Sequence, residues 1–189
     1  MRLFVLALLV GSTAAAKPTA NFSREFQAGV DAFRLGKLDD ARAHLEKARK
    51  LDPKLPGPHR FLAAVAQGQE KFDECVAEGH EALHLNPNSS EAPETKKLYD
   101  TCRGSAGRAP YRGPNLGDAA AIAVITNIPG ASVRINKLSY GGTPLAPRRI
   151  SAGQLEVEIT KTGYKPLHVS VVALAGIVND VVADLEATQ

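Results

Sequence analysis

The stretch at residues 41–53, ARAHLEKARKLDP, decides the fold of the N-terminal half, because it returns as CVAEGHEALHLNP at residues 75–87. The two copies are 34 residues apart, and each ends in a polar residue followed by a proline, Pro53 or Pro87. The residue before a proline is pushed out of the α region, so a helix is predicted to stop at each of these places. The sequence therefore predicts two copies of one helical unit.

The correspondence extends upstream of these segments. Gly29 corresponds to Ala63 and Leu38 to Phe72, which places small residues where two antiparallel helices must approach closely. This pattern of helix–turn–helix units with a 34-residue period resembles the tetratricopeptide repeat (TPR) family. The resemblance implies two repeats and a closing helix, in a helical domain at residues 17–102 that serves as a docking module.

The sequence departs from the TPR pattern in one place. The large aromatic residue that is usual early in the first helix is replaced by Glu25 and His59. We expect Phe26 and Phe61 to fill that space from neighbouring positions. The rest of the register, including the small residues, is intact.

The TPR family binds partners in an inner groove lined by one face of the first helix of each repeat. The resemblance transfers this groove to Phe26, Val30, Phe33 and Arg34 of the first repeat and to Arg60, Ala64 and Gln67 of the second. An apolar floor beside two guanidinium groups predicts a partner peptide with an apolar anchor and a carboxylate, because arginine holds carboxylates through paired hydrogen bonds. The alternative is that the phenylalanines pack against the neighbouring helix and both arginines are solvated.

Cys75 and Cys102 are the two cysteines of the chain. Cys75 lies near the start of a second helix and Cys102 near the end of the following helix, residues 90–102. Consecutive TPR helices run antiparallel, so these two ends should meet in a disulfide. It would close a loop of 28 residues, from 75 to 102, and the chain-entropy relation gives roughly 3–4 kcal/mol of stabilisation. The alternative is a pair of buried free thiols.

The N-terminus has the residue order of a secretory signal at residues 1–16. Arg2 precedes an apolar run at residues 3–10, and small residues follow up to Ala16. The run is too short to span a bilayer, and no later segment is long enough. We expect cleavage after Ala16 and a periplasmic or secreted protein without a direct membrane span. The alternative is an apolar N-terminal helix that frays.

Residues 103–120 separate the helical pattern from the C-terminal region. The segment is rich in glycine and proline and carries Arg103, Arg108 and Arg112. This composition predicts a flexible linker whose arginines are solvated. The alternative is that the three arginines contact an anionic polymer of the cell envelope.

Strand periodicity begins after the linker and predicts a β domain at residues 121–189. Residues 155–159 alternate strictly between apolar and polar side chains, and residues 132–135 and 169–171 do so over shorter runs. Turn residues such as Thr162-Gly163 separate these runs. The pattern predicts a small antiparallel β-sandwich, so the fold class of the whole chain is multidomain α + β.

Four short motifs follow one another in this region. They are Ile128-Pro129-Gly130-Ala131, Gly142-Thr143-Pro144-Leu145, Ser151-Ala152-Gly153 and Lys161-Thr162-Gly163-Tyr164. In order and spacing they resemble the PEGA domain family, although the first departs from that family's Pro-Glu-Gly-Ala. The resemblance covers residues 121–186 and implies an extracytoplasmic β module of a bacterial protein, without catalytic residues, that would contact another envelope component.

Residues 80–84, HEALH, fit the His-Glu-x-x-His pattern of zinc peptidases. The repeat register places Ala82 on the buried side of its helix, which leaves His80, Glu81 and His84 facing outward without a cleft or a third ligand. We therefore expect solvated histidines, with no catalytic residue, no metal and no cofactor. A zinc-dependent hydrolase built on these three residues is the alternative function, and adventitious surface metal binding is a weaker one.

The charge distribution argues against nucleic acid as a partner. Residues 17–102 and residues 119–189 each carry a formal charge within one unit of zero, whereas proteins that bind nucleic acid present a basic face. We therefore predict an exported, non-enzymatic scaffold of the bacterial cell envelope. Its helical groove would bind a partner protein, and its β domain would contact another envelope component.

Overall fold

A computed structural model describes residues 19–188, which form a helical part followed by a β part. The predicted α + β class is confirmed. The predicted signal segment, residues 1–16, lies outside the described residues. None of the described helices combines the length and apolar character needed to cross a membrane. The helices are α1 (Ala20–Arg34), α2 (Leu38–Leu51), α3 (Pro56–Gly68), α4 (Phe72–Leu85) and α5 (Ala92–Ser105).

The 34-residue sequence repeat is also a structural repeat. Helices α2 and α4 have 14 residues each and begin and end at corresponding positions. The turns before them agree as well, because Gly36 and Glu70 both have positive φ, at 73° and 58°. The helical part therefore consists of two equivalent hairpins, α1–α2 and α3–α4, followed by α5.

A histidine–glutamate pair joins the two helices of each hairpin, with the two residue types exchanged. In the first hairpin His44 Nδ1 lies 2.8 Å from Glu25 Oε2, and in the second His59 Nδ1 lies 2.7 Å from Glu78 Oε2. Glu25 and His59 occupy equivalent positions, as do His44 and Glu78. The polar residues found where the TPR pattern has an aromatic are thus two halves of one repeated contact.

Side-chain size is exchanged between the hairpins in the same way. A Cβ atom at Gly29 would lie 2.7 Å from Leu45 Cγ, so glycine permits this close contact in the first hairpin. In the second hairpin Gly79 stands at the position equivalent to Leu45, and the space beside it is filled by Tyr99 of α5. Tyr99 is fully buried. The second hairpin therefore has room for α5, which the first does not offer.

The predicted disulfide is confirmed. Cys75 and Cys102 are bonded with an S–S distance of 2.00 Å, and their Cα–Cα distance of 6.0 Å is within the usual range for disulfides. Both residues are fully buried. The bond joins the first turn of α4 to the last turn of α5 and thereby ties the closing helix to the second hairpin.

Seven strands form the two sheets of the β part. One sheet has the order β4-β1-β7 and the other β3-β2-β5-β6. Apolar residues such as Ile122, Val133 and Val157 are buried in the core shared by both sheets. The strands are β1 (Ala119–Thr126), β2 (Ser132–Ile135), β3 (Leu138–Gly142), β4 (Leu145–Ser151), β5 (Gly153–Thr160), β6 (Leu167–Ala173) and β7 (Val178–Ala183).

The prediction of a purely antiparallel sandwich is wrong for one strand pair. Strand β7 runs parallel to β1, with Val178 opposite Ala121 and Ala183 opposite Thr126. A parallel neighbour requires a crossover, which here passes through β6 of the other sheet. Strand β1 also begins two residues earlier than the predicted domain boundary at residue 121.

The helical part and the β part pack directly against each other. Ile177, just before β7, is buried in the same apolar cluster as Val76, Tyr99 and Cys102. The Tyr99 hydroxyl donates a hydrogen bond of 2.6 Å to the carbonyl of Val178. The contacts arise from α4 and α5, so the β part lies on the second hairpin and the closing helix.

Candidate functional site

The predicted groove residues lie on α1 and α3, and an aromatic row connects the two helices. The rings of Phe26 and Phe33 both pack edge to face against Phe61, with centroid distances of 5.7 and 5.8 Å. Phe22 stacks on Phe26 at 5.7 Å and extends the row along α1. Phe61 also belongs to this surface, although from the sequence we expected it only to fill the space of the large aromatic residue that the TPR pattern has at the position of His59. We call Phe22, Phe26, Phe33 and Phe61 the aromatic row.

The row is only partly covered by the protein. Phe26, Phe33 and Phe61 are half-buried, whereas Phe22 is buried. Val30, predicted as part of the groove floor, is 5% exposed and belongs to the core. The phenylalanines thus do pack against the neighbouring helix, as the alternative expected, but three of the rings keep an exposed edge or face.

The two predicted arginines have different surroundings. The guanidinium carbon of Arg60 lies 4.7 Å from the centroid of Phe61, which is a cation–π contact. Arg34 is exposed at the end of α1 and lies 3.5 Å from Asp31. No carboxylate within residues 19–188 forms an ion pair with Arg60. Arg60 therefore has free N–H donors beside the aromatic row. The hydrogen bond from Ser90 and the charge of Arg60 both lower the pKa of the nearby Glu91. By contrast, Arg34 lies directly against Asp31.

The remaining predicted groove residues, Ala64 and Gln67, lie on α3 and are half-buried. Ala64 stands one helical turn after Arg60, and Gln67 stands near the end of α3. Their side chains are small or neutral, so they add no charge to the surface. The positive charge at the aromatic row comes from Arg60.

A buried ionic network fixes the start of α3 below this surface. His59 lies 2.7 Å from Glu78 through Nδ1 and 3.2 Å from the Pro53 carbonyl through Nε2, and the other Glu78 oxygen accepts from Arg49. Burial by itself lowers the pKa of His59, but the hydrogen bonds to Glu78 and Pro53 outweigh it and raise the pKa above its ordinary value. Both ring nitrogens face acceptors, so the network favours the imidazolium.

The HEALH segment does not present two solvated histidines. His84 is exposed as expected, but His80 is half-buried, and its Nε2 lies 3.0 Å from Asn179 Oδ1. The Asn179 amide nitrogen donates to backbone carbonyls, including that of Ala121 at 3.1 Å, so its oxygen accepts from His80. Burial lowers the pKa of His80. Within residues 19–188 no group of three potential ligands is placed to hold a metal ion.

Two arginines of the predicted linker are buried at the contact between the helical and β parts. Arg103 binds Asp180 through Nε at 2.7 Å and Nη2 at 2.8 Å, and Arg108 Nη1 reaches the same carboxylate at 3.1 Å. The side chains of Arg103, Arg108 and Asp180 are 4%, 8% and 2% exposed. The prediction of solvated linker arginines is therefore wrong for Arg103 and Arg108, because Asp180 draws them inward. It holds for Arg112, which is exposed.

Three of the four motifs of the β part meet at the Ile128-Pro129-Gly130-Ala131 turn. The buried Thr143 Oγ1 accepts from the Ala131 amide at 3.0 Å, and the Thr143 amide donates to the Ala131 carbonyl at 2.8 Å. Lys161 Nζ donates to the Pro129 carbonyl at 2.6 Å. The Ile128-Pro129-Gly130-Ala131 turn is thus held by residues from two later motifs, which explains why they occur together.

The β part matches a known family. Residues 119–189 match the PEGA domain. The match begins at the first residue of β1 and confirms the resemblance that the four motifs indicated. No curated protein matches the chain.

The PEGA domain supplies the polar groups that meet the helices. Asn179 and Asp180, next to each other on β7, bind His80 of α4 and Arg103 of α5 respectively. No sequence pattern pointed to these partners, because they are 77 or more residues from the side chains that they bind. In the described part of the chain, none of the polar contacts between the PEGA domain and the helices involves α1 or α3.

Proposed function

We propose that the protein is an exported, non-enzymatic binding protein of the bacterial cell envelope, whose TPR-like hairpins capture an extended segment of a partner protein. The observation that supports this proposal most is the half-buried aromatic row with Arg60 above Phe61, since this guanidinium forms no ion pair within residues 19–188. Aromatic residues and arginine are the types that contribute most to protein–protein binding. The partner segment would place an apolar side chain on Phe26, Phe33 and Phe61.

Arg60 gives this surface its preference for an acidic partner. The ring of Phe61 below the guanidinium restrains its position, which reduces the entropy lost when a ligand binds. A carboxylate of the partner would then accept hydrogen bonds from Arg60 next to the apolar contact. The preferred segment therefore carries an aspartate, a glutamate or a C-terminal carboxylate near its apolar anchor.

The PEGA domain would have a second, positioning role. It packs on α4 and α5, whereas the aromatic row lies on α1 and α3. Partner binding would therefore not require the two parts to separate. The outer surface of the PEGA domain would contact another component of the envelope and hold the helical surface at a fixed place.

The zinc-hydrolase alternative gains no support. A zinc site needs several ligands together, and within residues 19–188 no group of three potential ligands is placed to hold a metal ion. His80 Nε2 contacts Asn179, and His84 is exposed at the surface.

Site-specific photocrosslinking in the native envelope tests the proposal. A photoreactive residue at Ala64, close to Arg60, should form an adduct with a partner protein, while the same residue at the exposed Ala77 of α4 should not. Arg60→Ala should weaken binding of the identified partner segment about tenfold, or about 1.4 kcal/mol. Arg34→Ala serves as the matched control and should change it little. Equal binding by a folded Arg60→Ala variant would move the site away from the aromatic row.

Export has its own test. The intact mass of the protein purified from its native source should correspond to a chain that starts at Lys17, because the small residues 14–16 follow the apolar run. Recovery of the full-length chain would refute the predicted compartment without affecting the binding surface.

A further inference from the structure

A cavity of about 410 Å³ lies where α5, the segment after α5 and the start of β7 meet. Its volume is within the range of small-molecule sites, about 300–1,000 Å³. Its lining includes three apolar or aromatic residues, Tyr111, Leu116 and Ile177. It also includes the two arginines that hold the PEGA domain, Arg103 and Arg108.

Charged groups of both signs lie beside the cavity. The carboxylate buried with the two guanidinium groups is that of Asp180, so these three buried groups together carry one positive charge. Asp73 also contacts Arg108, but its side chain is 83% exposed, and water screens its charge. Asp100 lines the cavity as well; burial raises the pKa of its carboxyl group, while the charges of Arg103 and Lys96 lower it.

The two arginines also keep free hydrogen-bond donors. Arg103 uses Nε and Nη2 for Asp180 and the Ala109 carbonyl, and no partner within residues 19–188 accepts from its Nη1. Arg108 uses Nη1 and Nη2, which leaves its Nε free in the same part of the chain. No side-chain polar atom of the described residues is both sealed from solvent and unpartnered, so these donors are open to solvent. The cavity is a solvent space that both arginines line.

We propose that this cavity binds a small carboxylate with an apolar body. The carboxylate would accept hydrogen bonds from the free N–H groups of Arg103 and Arg108, and the apolar body would lie against Tyr111, Leu116 and Ile177. Because the carboxylates of Asp73 and Asp100 also lie close to the arginines, a singly charged anion fits beside them at a lower electrostatic cost than a doubly charged phosphate. The planar guanidinium groups also fit the geometry of a carboxylate.

Such a carboxylate has two possible sources, a free organic acid or the C-terminal residue of a peptide. Phenylacetate is a suitable probe for the first, and N-acetylphenylalanine for the second. N-acetylphenylalanine amide is the matched neutral control, and inorganic phosphate is the control for a bare anion. Binding of each to the full chain is measured by isothermal titration calorimetry at constant ionic strength.

Three variants test whether a ligand binds in the cavity or only responds to the positive charge of this segment. Arg108→Gln removes the guanidinium group of Arg108. Gly104→Leu adds a side chain at the cavity, where a Cβ would have open space apart from the two neighbouring residues of the chain. Arg112→Gln is the matched control, since Arg112 is exposed in the same segment. Cooperative unfolding of each variant shows that it is folded.

The expected result is saturable binding of at least one acid and no saturable binding of the amide or of phosphate. Arg108→Gln and Gly104→Leu should each weaken this binding at least tenfold, about 1.4 kcal/mol, and Arg112→Gln should leave it unchanged. Binding of N-acetylphenylalanine without phenylacetate would assign the site to a peptide C-terminus. The proposal is overturned if neither acid binds at millimolar concentration, if the amide binds as well as its acid, or if folded Gly104→Leu binds as tightly as the natural chain.

Discussion

The two helical hairpins have the same backbone but different side chains at equivalent places. In both hairpins a residue with positive φ precedes the second helix, and the second helices begin and end at positions that are 34 residues apart. Yet the His44–Glu25 pair of the first hairpin becomes Glu78–His59 in the second, with the residue types reversed. The comparison teaches that the repeat requires a particular contact at each position rather than a particular residue.

The differences between the hairpins arise from the contacts that each hairpin must make. In the first, Leu45 fills the space against Gly29 within the hairpin itself. In the second, Gly79 leaves that space to Tyr99 of α5, and Cys75 bonds to Cys102 of the same helix. The second hairpin is therefore adapted to hold α5 and, through α5, the PEGA domain.

Removal of the disulfide should have the largest effect on this comparison. The double variant Cys75→Ala and Cys102→Ala should lose about 3–4 kcal/mol of unfolding free energy, because the bond closes a long loop in the unfolded chain. Alanine is the residue at the equivalent position of the first hairpin, Ala41. Urea denaturation measures the loss. Amide hydrogen exchange should show that α5 is affected more than α1, and equal loosening of both would contradict the assignment.

The same substitution should have opposite effects in the two hairpins. Gly29→Ala crowds Leu45, and such overpacking costs about 1–3 kcal/mol. This cost outweighs the gain in helix propensity, so the free energy of unfolding should fall by about 1–2 kcal/mol. Gly79→Ala meets Tyr99 at an ordinary 3.5 Å and should be neutral or stabilise by up to about 1 kcal/mol. Chemical denaturation of both variants gives the comparison. Equal losses would show that the space beside Tyr99 is as tight as that beside Leu45.

The exchanged His–Glu pairs should act in different pH ranges. Folding raises the pKa of His59 above its ordinary value of 6.5. The contribution of this residue to the free energy of unfolding is therefore complete below about pH 6.5 and is lost as the pH rises through the folded-state pKa. The hydrogen bond from His44 lowers the pKa of Glu25 below 4.5. The contribution of Glu25 to the free energy of unfolding is therefore present above about pH 4.5 and is lost as the pH falls through the folded-state pKa. In urea denaturation between pH 5 and pH 9, His59→Gln should remove a decline with rising pH that the natural chain shows. A decline that persists unchanged in His59→Gln would have another origin.

The smallest expected effect concerns the turn before α4. Glu70 has a φ of 58°, where the first hairpin has Gly36, so Glu70→Gly should stabilise the chain by up to about 1 kcal/mol. The reciprocal Gly36→Ala is the control and should destabilise it by a similar amount. Thermal unfolding of the two variants tests whether the turns are equivalent. A destabilised Glu70→Gly variant would show that the glutamate side chain has a contact of its own.

Local signals in the sequence predicted the elements that depend on neighbouring residues. Pro53 and Pro87 end α2 and α4 near the predicted places, because proline restricts the residue before it. The alternation at residues 155–159 predicted β5. Strands β3, β4 and β7 were not predicted individually, since they lack a clean alternation and depend on partners in the sheet.

The sequence by itself determined the 34-residue repeat, the Cys75–Cys102 bond and the PEGA motifs, because each rests on the identity and spacing of residues along the chain. Only the tertiary structure decided where the arginines lie and what the aromatic surface contains. Arg103 and Arg108 lie in a segment with the composition of a solvated linker, but both are buried against Asp180, which is more than 70 residues away in the sequence. Phe61 completes the aromatic row only because α1 lies beside α3. The energy of a buried charge or a shared apolar surface depends on residues far away in the sequence, and folding alone brings them together.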